Sequence, residues 1–457
     1  MIVMKFGGTS VESAAAIGRV ASIVKARLER QPVVVVSAMG KTTNKLLALA
    51  ADAVEGRRER ALEQLTALRE YHLSEARALV TADDTAALEG IVADHFQELG
   101  ELIAGLSVLG ELTPRFIDAI SSYGERLSSR IVTLAFRSFG MDTVHADSRR
   151  LIVTDRRHTQ ASPIYPETYA RLCAQVAPLA QQGKVVVMGG FIAATENGVT
   201  TTLGRGGSDF TAAIAGAGIG AEEIQIWTDV DGMMTADPNT VPEAHRLRVI
   251  SFAEAAELAY FGAKVLHPAT VLPAIEKNIP VMILNSRRPE VPGTRIVREA
   301  VPCTNPIKSI ACKRHITVVN IHSTRMLMAH GFLHQIFEVF DRYETPVDML
   351  STSEVSVSAT IDNTAKLEKI RAELEQFSEV SVEQNRAIIC LVGDNIRYTA
   401  GIGARIFRAL SPVNILMVSQ GGSQWNLSVV VDEADLVNAV RLLHNEFFQE
   451  LDPAAFE

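Results

Sequence analysis

This sequence holds no cysteine pair at CxxC spacing, no apolar run of membrane length and no surplus of positive charge. Each absence excludes something. Its four cysteines, Cys173, Cys303, Cys312 and Cys390, stand singly. They lack the spacing of a zinc site and read as buried thiols of a reducing cytosol. No stretch approaches the roughly 20 apolar residues that span a bilayer. The N-terminus lacks the basic-then-apolar pattern of a signal peptide, so the expected location is cytoplasmic, with no membrane partner. Lys and Arg number 44 against 53 Asp and Glu, a net charge of −9. Nucleic acid is therefore a poor partner and a small metabolite a better one. There is no GxxxxGK[ST] loop. His330 and His334 stand four apart, but without the HExxH glutamate or a third ligand. Gly216–Ala221 matches GxGxxA, yet it ends a helix and precedes a strand, the reverse of the dinucleotide context.

What is present is a chain of 457 residues, 47% of them hydrophobic. That length suggests two or three globular domains. Short β-branched runs at Ile2–Phe6, Val33–Ser37, Val185–Met188, Ile224–Trp227 and Val281–Leu284 read as strands buried on both faces. Between Thr43 and Phe139 the chain is mostly helical. The pattern is an α/β sheet with a large helical insertion. The turn-rich stretch Ser286–Gly293 marks the expected domain boundary. Beyond it a shift of about 70 residues lays Ile336–Phe337 on Ile406–Phe407 and Asp362 on Asp432. Each unit reads strand, helix, two strands, helix, as two copies of one small domain would.

Chemistry is suggested at several turns. Lys5-Phe6-Gly7-Gly8 leaves a strand and enters a helix expected near Ser10. Glycine amides and a lysine there suit a phosphate, although two glycines alone also fit an ordinary turn. Leu203-Gly204-Arg205-Gly206-Gly207-Ser208-Asp209 precedes an expected helix at Phe210–Ala217, with Ser208 as its N-cap. Its guanidinium suits an anionic substrate. Gly189-Gly190 follows a strand and forms a second expected wall. Asp229, after the Ile224–Trp227 strand, suits a ribose hydroxyl or an Asp-Gly turn. Lys264 suits a phosphate, or solvent.

Together these segments resemble the aspartokinase branch of the amino-acid kinase family. The matching pieces, in order, are KFGGTS at 5–10, VVVVSAMGKTTN at 33–44, SSYGERLSS at 121–129, TTLGRGGSDFTAA at 201–213, WTDVDG at 227–232 and FGAKVLHPAT at 261–270. The resemblance implies a kinase domain over residues 1–295 and two ACT domains, of α+β ferredoxin-like fold, over 310–385 and 386–457, in sequence or interleaved. It implies ATP with Mg²⁺ and L-aspartate as reactants. Lys5, Arg205 and Asp209 would be catalytic. Lys5, Phe6, Gly7, Gly8, Thr228, Asp229, Met234, Lys264 and Val265 would meet ATP. Ser37, Thr43, Glu125, Phe191, Arg205, Ser208 and Asp209 would hold aspartate. Two positions depart from the family pattern: Met234 replaces a tyrosine and Asn239 an arginine. The C-terminal segments resemble the lysine-sensitive type. There Met326, Gly331, Phe332, Leu333, Val347, Asp348, Ser353 and Glu354 would bind L-lysine, with Ala329 in place of a serine. Paired ACT domains imply at least a homodimer. Two other readings are a same-fold kinase for another acidic substrate and an ACT-bearing regulator with a decayed kinase.

Overall fold

The computed structural model describes residues 1–262, 268–299, 302–324 and 330–457. Lys264, Val265 and Met326 lie outside the described residues. The chain divides into two compact units, Met1–Met233 with Val265–Glu299, and Met234–Lys264 with Ala300–Glu457. This is not the single cut that the turn-rich stretch suggests, because 234–264 packs with the C-terminal half.

In chain order the first unit contributes β1 (Ile2–Phe6), β2 (Pro32–Val36), β3 (Thr143–Ala146), β4 (Val153–Thr154), β5 (Val185–Gly189), β6 (Ile192–Thr195), β7 (Thr200–Thr202) and β8 (Glu223–Thr228). β9 (Val249–Ser251) belongs to the second unit, and β10 (Val281–Asn285) and β11 (Thr294–Val297) return to the first. The main order in the first unit is β3-β5-β2-β1-β8-β10-β11. All of these pair in parallel except β10 with β11. Val33 to Val36 are fully buried, as a strand covered on both faces requires. Phe6 and Trp227, neighbours in register, stack at 5.9 Å under the strand ends. The insertion forms helices Thr42–Val54, Arg58–Arg77, Ala82–Leu109 and Pro114–Ser138. The last starts on a Thr113 cap with Pro114 in its first turn, a strong start signal. The helix expected near Ser10 is a 3₁₀ turn at Gly8–Ser10, and the α-helix begins at Ala14 on the Ser13 cap.

The second unit carries β12 (Ser309–His322), β13 (Leu350–Thr352), β14 (Ser356–Ile361), β15 (Glu379–Val392), β16 (Ile415–Gln420) and β17 (Asn426–Asp432) in the order β13-β14-β12-β15-β17-β16. The two repeats interleave. Thr317–His322 of β12 pairs with β14, whereas Ser309–Lys313 pairs with the end of β15 that runs beside β17. One strand thus serves both halves, so the second half borrows its edge from the start of the first. Helices Phe332–Arg342 and Ile402–Ala409 follow glycines of positive φ at equivalent positions, Gly331 (84°) and Gly401 (79°). The cysteines differ from expectation. Only Cys390 is buried, Cys303 and Cys312 are half-buried, and Cys173 is exposed on a surface helix.

Candidate active site

The strand ends that bear the kinase-domain candidates point the same way. β1, β2, β5 and β8 are parallel, so Lys5, Gly7, Ser37, Gly190, Phe191 and Thr228 gather at their carboxyl ends, where open α/β sheets bind ligands. A cavity of about 280 Å³ opens there, lined by Lys5, Ser37, Thr43, Glu125, Phe191, Gly204, Gly206, Gly207, Ser208 and Asp209. The structure therefore brings together seven side chains drawn from five separate stretches of sequence.

Local chain geometry explains the convergence. Gly206 takes φ 70° and ends the turn, so the helix Gly207–Ile219 starts one residue before Ser208. Ser208 is not the N-cap; it is released to line the cavity and packs on Gly190. A Cβ added at Gly190 would sit 2.6 Å from the Ser208 Cβ. Phe191 is held at φ 66°, a costly conformation for a phenylalanine. Its N–H donates to Thr211 Oγ1 (2.9 Å), and its carbonyl accepts from Leu203 N (2.9 Å). Gly8 meets Gly40 so closely that an added Cβ would stand 2.7 Å from the Gly40 oxygen. Gly7 N–H is already given to Trp227 O at 3.2 Å.

Charge is arranged in two parts. Lys5 Nζ lies 2.7 Å from Asp209 Oδ1, both side chains largely buried. The helix N-terminus at Gly207 adds partial positive charge to the same corner. Deeper in, Glu125 is 4% exposed. Its Oε1 accepts from Ala38 N at 3.1 Å, while its Oε2 has no partner among the described residues. Burial pushes its carboxyl up to about 8. A buried acid with an idle oxygen is a receptor for a cation.

Other candidates sit differently. Arg205 is exposed, between lining residues Gly204 and Gly206 but outside the cavity wall. Phe6 is fully buried, so only its backbone faces the site. Asp229 is exposed and accepts from Thr228 Oγ1 at 3.2 Å. Met234, in the second unit, bridges to Arg246, and Asn239 bonds Asp237. In the C-terminal half Phe332 is core, Leu333 is exposed, and Val347 packs on that core. Ser353 caps a turn onto Ser356 N, and Glu354 is exposed.

One cluster escaped sequence reasoning. Asp118, fully buried, accepts from Thr202 Oγ1 (2.6 Å), His158 Nδ1 (2.6 Å) and Thr159 N (3.0 Å). It ties the 155–160 loop to the segment that leads into Gly204. The available signal was its spacing: seven residues before Glu125 places it on the same helix face.

Residues 1–285 match the amino acid kinase family model, and 389–447 match an ACT domain model. The chain belongs to the amino acid kinase family. Within it, aspartokinases are similar over nearly the whole of this chain. Aspartokinase 2, chloroplastic, of Arabidopsis thaliana is 38% identical over 99% of this chain and 85% of its own. Lysine-sensitive aspartokinase 3 of Escherichia coli is 35% identical over 98% of this chain and 99% of its own. The crystal structure of E. coli aspartokinase III in complex with lysine and aspartate (T-state) superposes with a TM-score of 0.85 at 34% identity, covering 98% and 100%. Its complex with aspartate and ADP (R-state) gives 0.83. This chain is thus an aspartate kinase enzyme. None of the helices among the described residues is long and apolar enough to cross a membrane.

Proposed function

We propose that the chain transfers the terminal phosphoryl group of ATP to the side-chain carboxylate of L-aspartate. The product is 4-phospho-L-aspartate, for lysine, threonine and methionine biosynthesis in the cytoplasm. L-Lysine inhibits it through the ACT pair, which also joins chains into a dimer or larger assembly. The observation that carries this reading is the pairing, in one cavity, of a Lys5–Asp209 corner with a buried, half-satisfied Glu125.

The nucleophile is the substrate's own carboxylate, ionised at neutral pH with an ordinary pKa of about 3.9, so no general base is required. Glu125 receives the α-ammonium, which restores the carboxylate's charge. Arg205 folds over the α-carboxylate as a bidentate partner. Ser37, Thr43 and Ser208 orient the side chain. The aspartate oxygen bonds to the γ-phosphorus as the bridging bond to ADP breaks. Lys5, Gly8 N–H and the helix N-terminus hold the charge that spreads over the phosphoryl oxygens. Among the described residues no three His, Cys, Asp or Glu cluster as a metal cage. Mg²⁺ would arrive on the nucleotide's phosphates, where it would neutralise phosphate charge.

A coupled ADP-release assay with aspartate, glutamate and acetylglutamate, with and without lysine or threonine, tests all parts. Turnover of aspartate alone, inhibited by lysine, is expected. Silence with millimolar aspartate refutes the reaction, and inhibition by threonine alone refutes the effector. Preference for a substrate lacking the α-ammonium would favour the rival same-fold kinase, but Glu125 argues against it.

A further inference from the structure

Asp348, one of the two acids among the residues that the resemblance assigns to L-lysine, already holds an ammonium. Lys313 Nζ lies 2.7 Å from Asp348 Oδ1 and 2.7 Å from Asp362 Oδ2. The two acids are unlike. The Asp348 side chain is 4% exposed and Asp362 is 40% exposed. Asp348 Oδ2 is buried with no partner among the described residues. Tyr260 completes the cluster. Its hydroxyl reaches Asp348 Oδ1 at 3.5 Å and its ring centroid is 5.8 Å from Lys313 Nζ.

We infer that Lys313 is a built-in stand-in for the effector's ammonium, and that L-lysine acts by displacing it from Asp348 onto Asp362. The inference rests on the lysine-sensing reading proposed above. Its chemistry is an exchange of one ammonium for another. An incoming ammonium finds Asp348 Oδ2 idle and satisfies it first. Lys313 then moves to Asp362, which faces water and is already within reach. The buried carboxylate keeps one cationic partner throughout, so the exchange leaves no uncompensated buried charge. Tyr260, which shares Asp348 Oδ1, feels the change. It ends the helix Phe252–Tyr260, two residues before Gly262, whose added Cβ would stand 2.3 Å from Cys312 O. Gly262 therefore stands against the strand that carries Lys313.

An intramolecular competitor lowers apparent affinity by the fraction of time it holds the site. The test is calorimetric titration of L-lysine into the full-length chain, wild type, Lys313→Met and Asp362→Asn. Methionine keeps the stem's bulk and removes the charge. Tighter binding is expected in Lys313→Met, by about tenfold if the internal pair is formed about nine-tenths of the time. Weaker binding, by several-fold, is expected in Asp362→Asn, because Lys313 loses its alternative seat. These opposite shifts are not what general destabilisation would give. Wild-type binding with no tightening in Lys313→Met, or equal weakening in both variants, overturns the inference alone. No binding in any of the three overturns the lysine reading itself, and this inference with it.

Discussion

Lys5 Nζ lies 2.7 Å from Asp209 Oδ1, across more than 200 residues of sequence, at the shared end of a strand and a helix. The contact is an ion pair without hydrogen-bond alignment, since Asp209 Oδ1 lacks a hydrogen-bonded partner among the described residues. Lys5→Met should lower kcat by about 10² to 10³-fold, the usual loss for a group that stabilises transition-state charge. The aspartate KM should change far less. Steady-state kinetics on purified protein decide the split. An aspartate KM that rises as much as kcat falls would make Lys5 a binding residue only.

Glu125 gives a pH signature. Its carboxyl is pushed up to about 8 by burial, against an ordinary 4.5. The unfolded chain loses that proton near 4.5 and the folded chain keeps it until about 8. Glu125 therefore contributes stability in full below 4.5, progressively less across the window, and none above 8. In the proposed pose aspartate meets the ionised form, so its affinity should rise as pH climbs toward 8, with proton release near pH 7. Calorimetry in buffers of different ionisation enthalpy measures that proton. Glu125→Gln should flatten the stability slope and raise Tm at pH 8. It should weaken aspartate by about tenfold to a hundredfold through loss of a charge-assisted bond. An unchanged stability slope would mean that Glu125 is ionised in the free protein.

Gly190→Ala should damage aspartate binding selectively. The new methyl meets Ser208 at 2.6 Å and must push the cavity wall aside. Overpacking of this kind costs about 1–3 kcal/mol. An aspartate KM raised about tenfold or more, with a nearly unchanged ATP KM, is expected from initial rates. Equal changes in both would place Gly190 outside the aspartate wall.

Asp118 should act through the glycine loop. Asp118→Asn keeps the volume and at least one acceptor, whereas Asp118→Ala strands Thr202, His158 and Thr159 N. The alanine variant should lose about 2–4 kcal/mol of stability, since several buried donors lose their partner. The asparagine variant should fold, recover most of the stability and still show a raised aspartate KM. Thermal melts paired with kinetics separate the two effects. An asparagine variant with wild-type KM would leave Asp118 a purely structural anchor.

Much of this is legible in the amino-acid sequence. Val33 to Val36 read as a doubly covered strand because a continuous β-branched run suits a strand buried on both faces. Gly7, Gly8 and the Gly204–Asp209 loop were legible as glycine turns at strand and helix ends, whereas Ser37, Thr43, Glu125 and Phe191 joined them only through the family resemblance. What was hidden depended on tertiary choice. The helix starts at Gly207 instead of beyond Ser208 because Gly206, not the serine, makes the turn. Phe6 reads as a ligand contact in a motif, but parallel pairing to β8 stacks it on Trp227. The Asp118 hub joins residues separated by up to 84 positions, and no local pattern reports such a pairing. The sharing of β12 between two repeats was equally invisible, since a fixed shift shows the copies but not which strand each one uses.

The most direct measurement is to trap the product. An acyl phosphate reacts with hydroxylamine to give a hydroxamate, which iron(III) colours. Purified chain with ATP, Mg²⁺ and L-aspartate should yield aspartyl hydroxamate in step with ADP, and Lys5→Met should yield almost none. ADP release without hydroxamate, or hydroxamate from glutamate but not aspartate, would contradict the account.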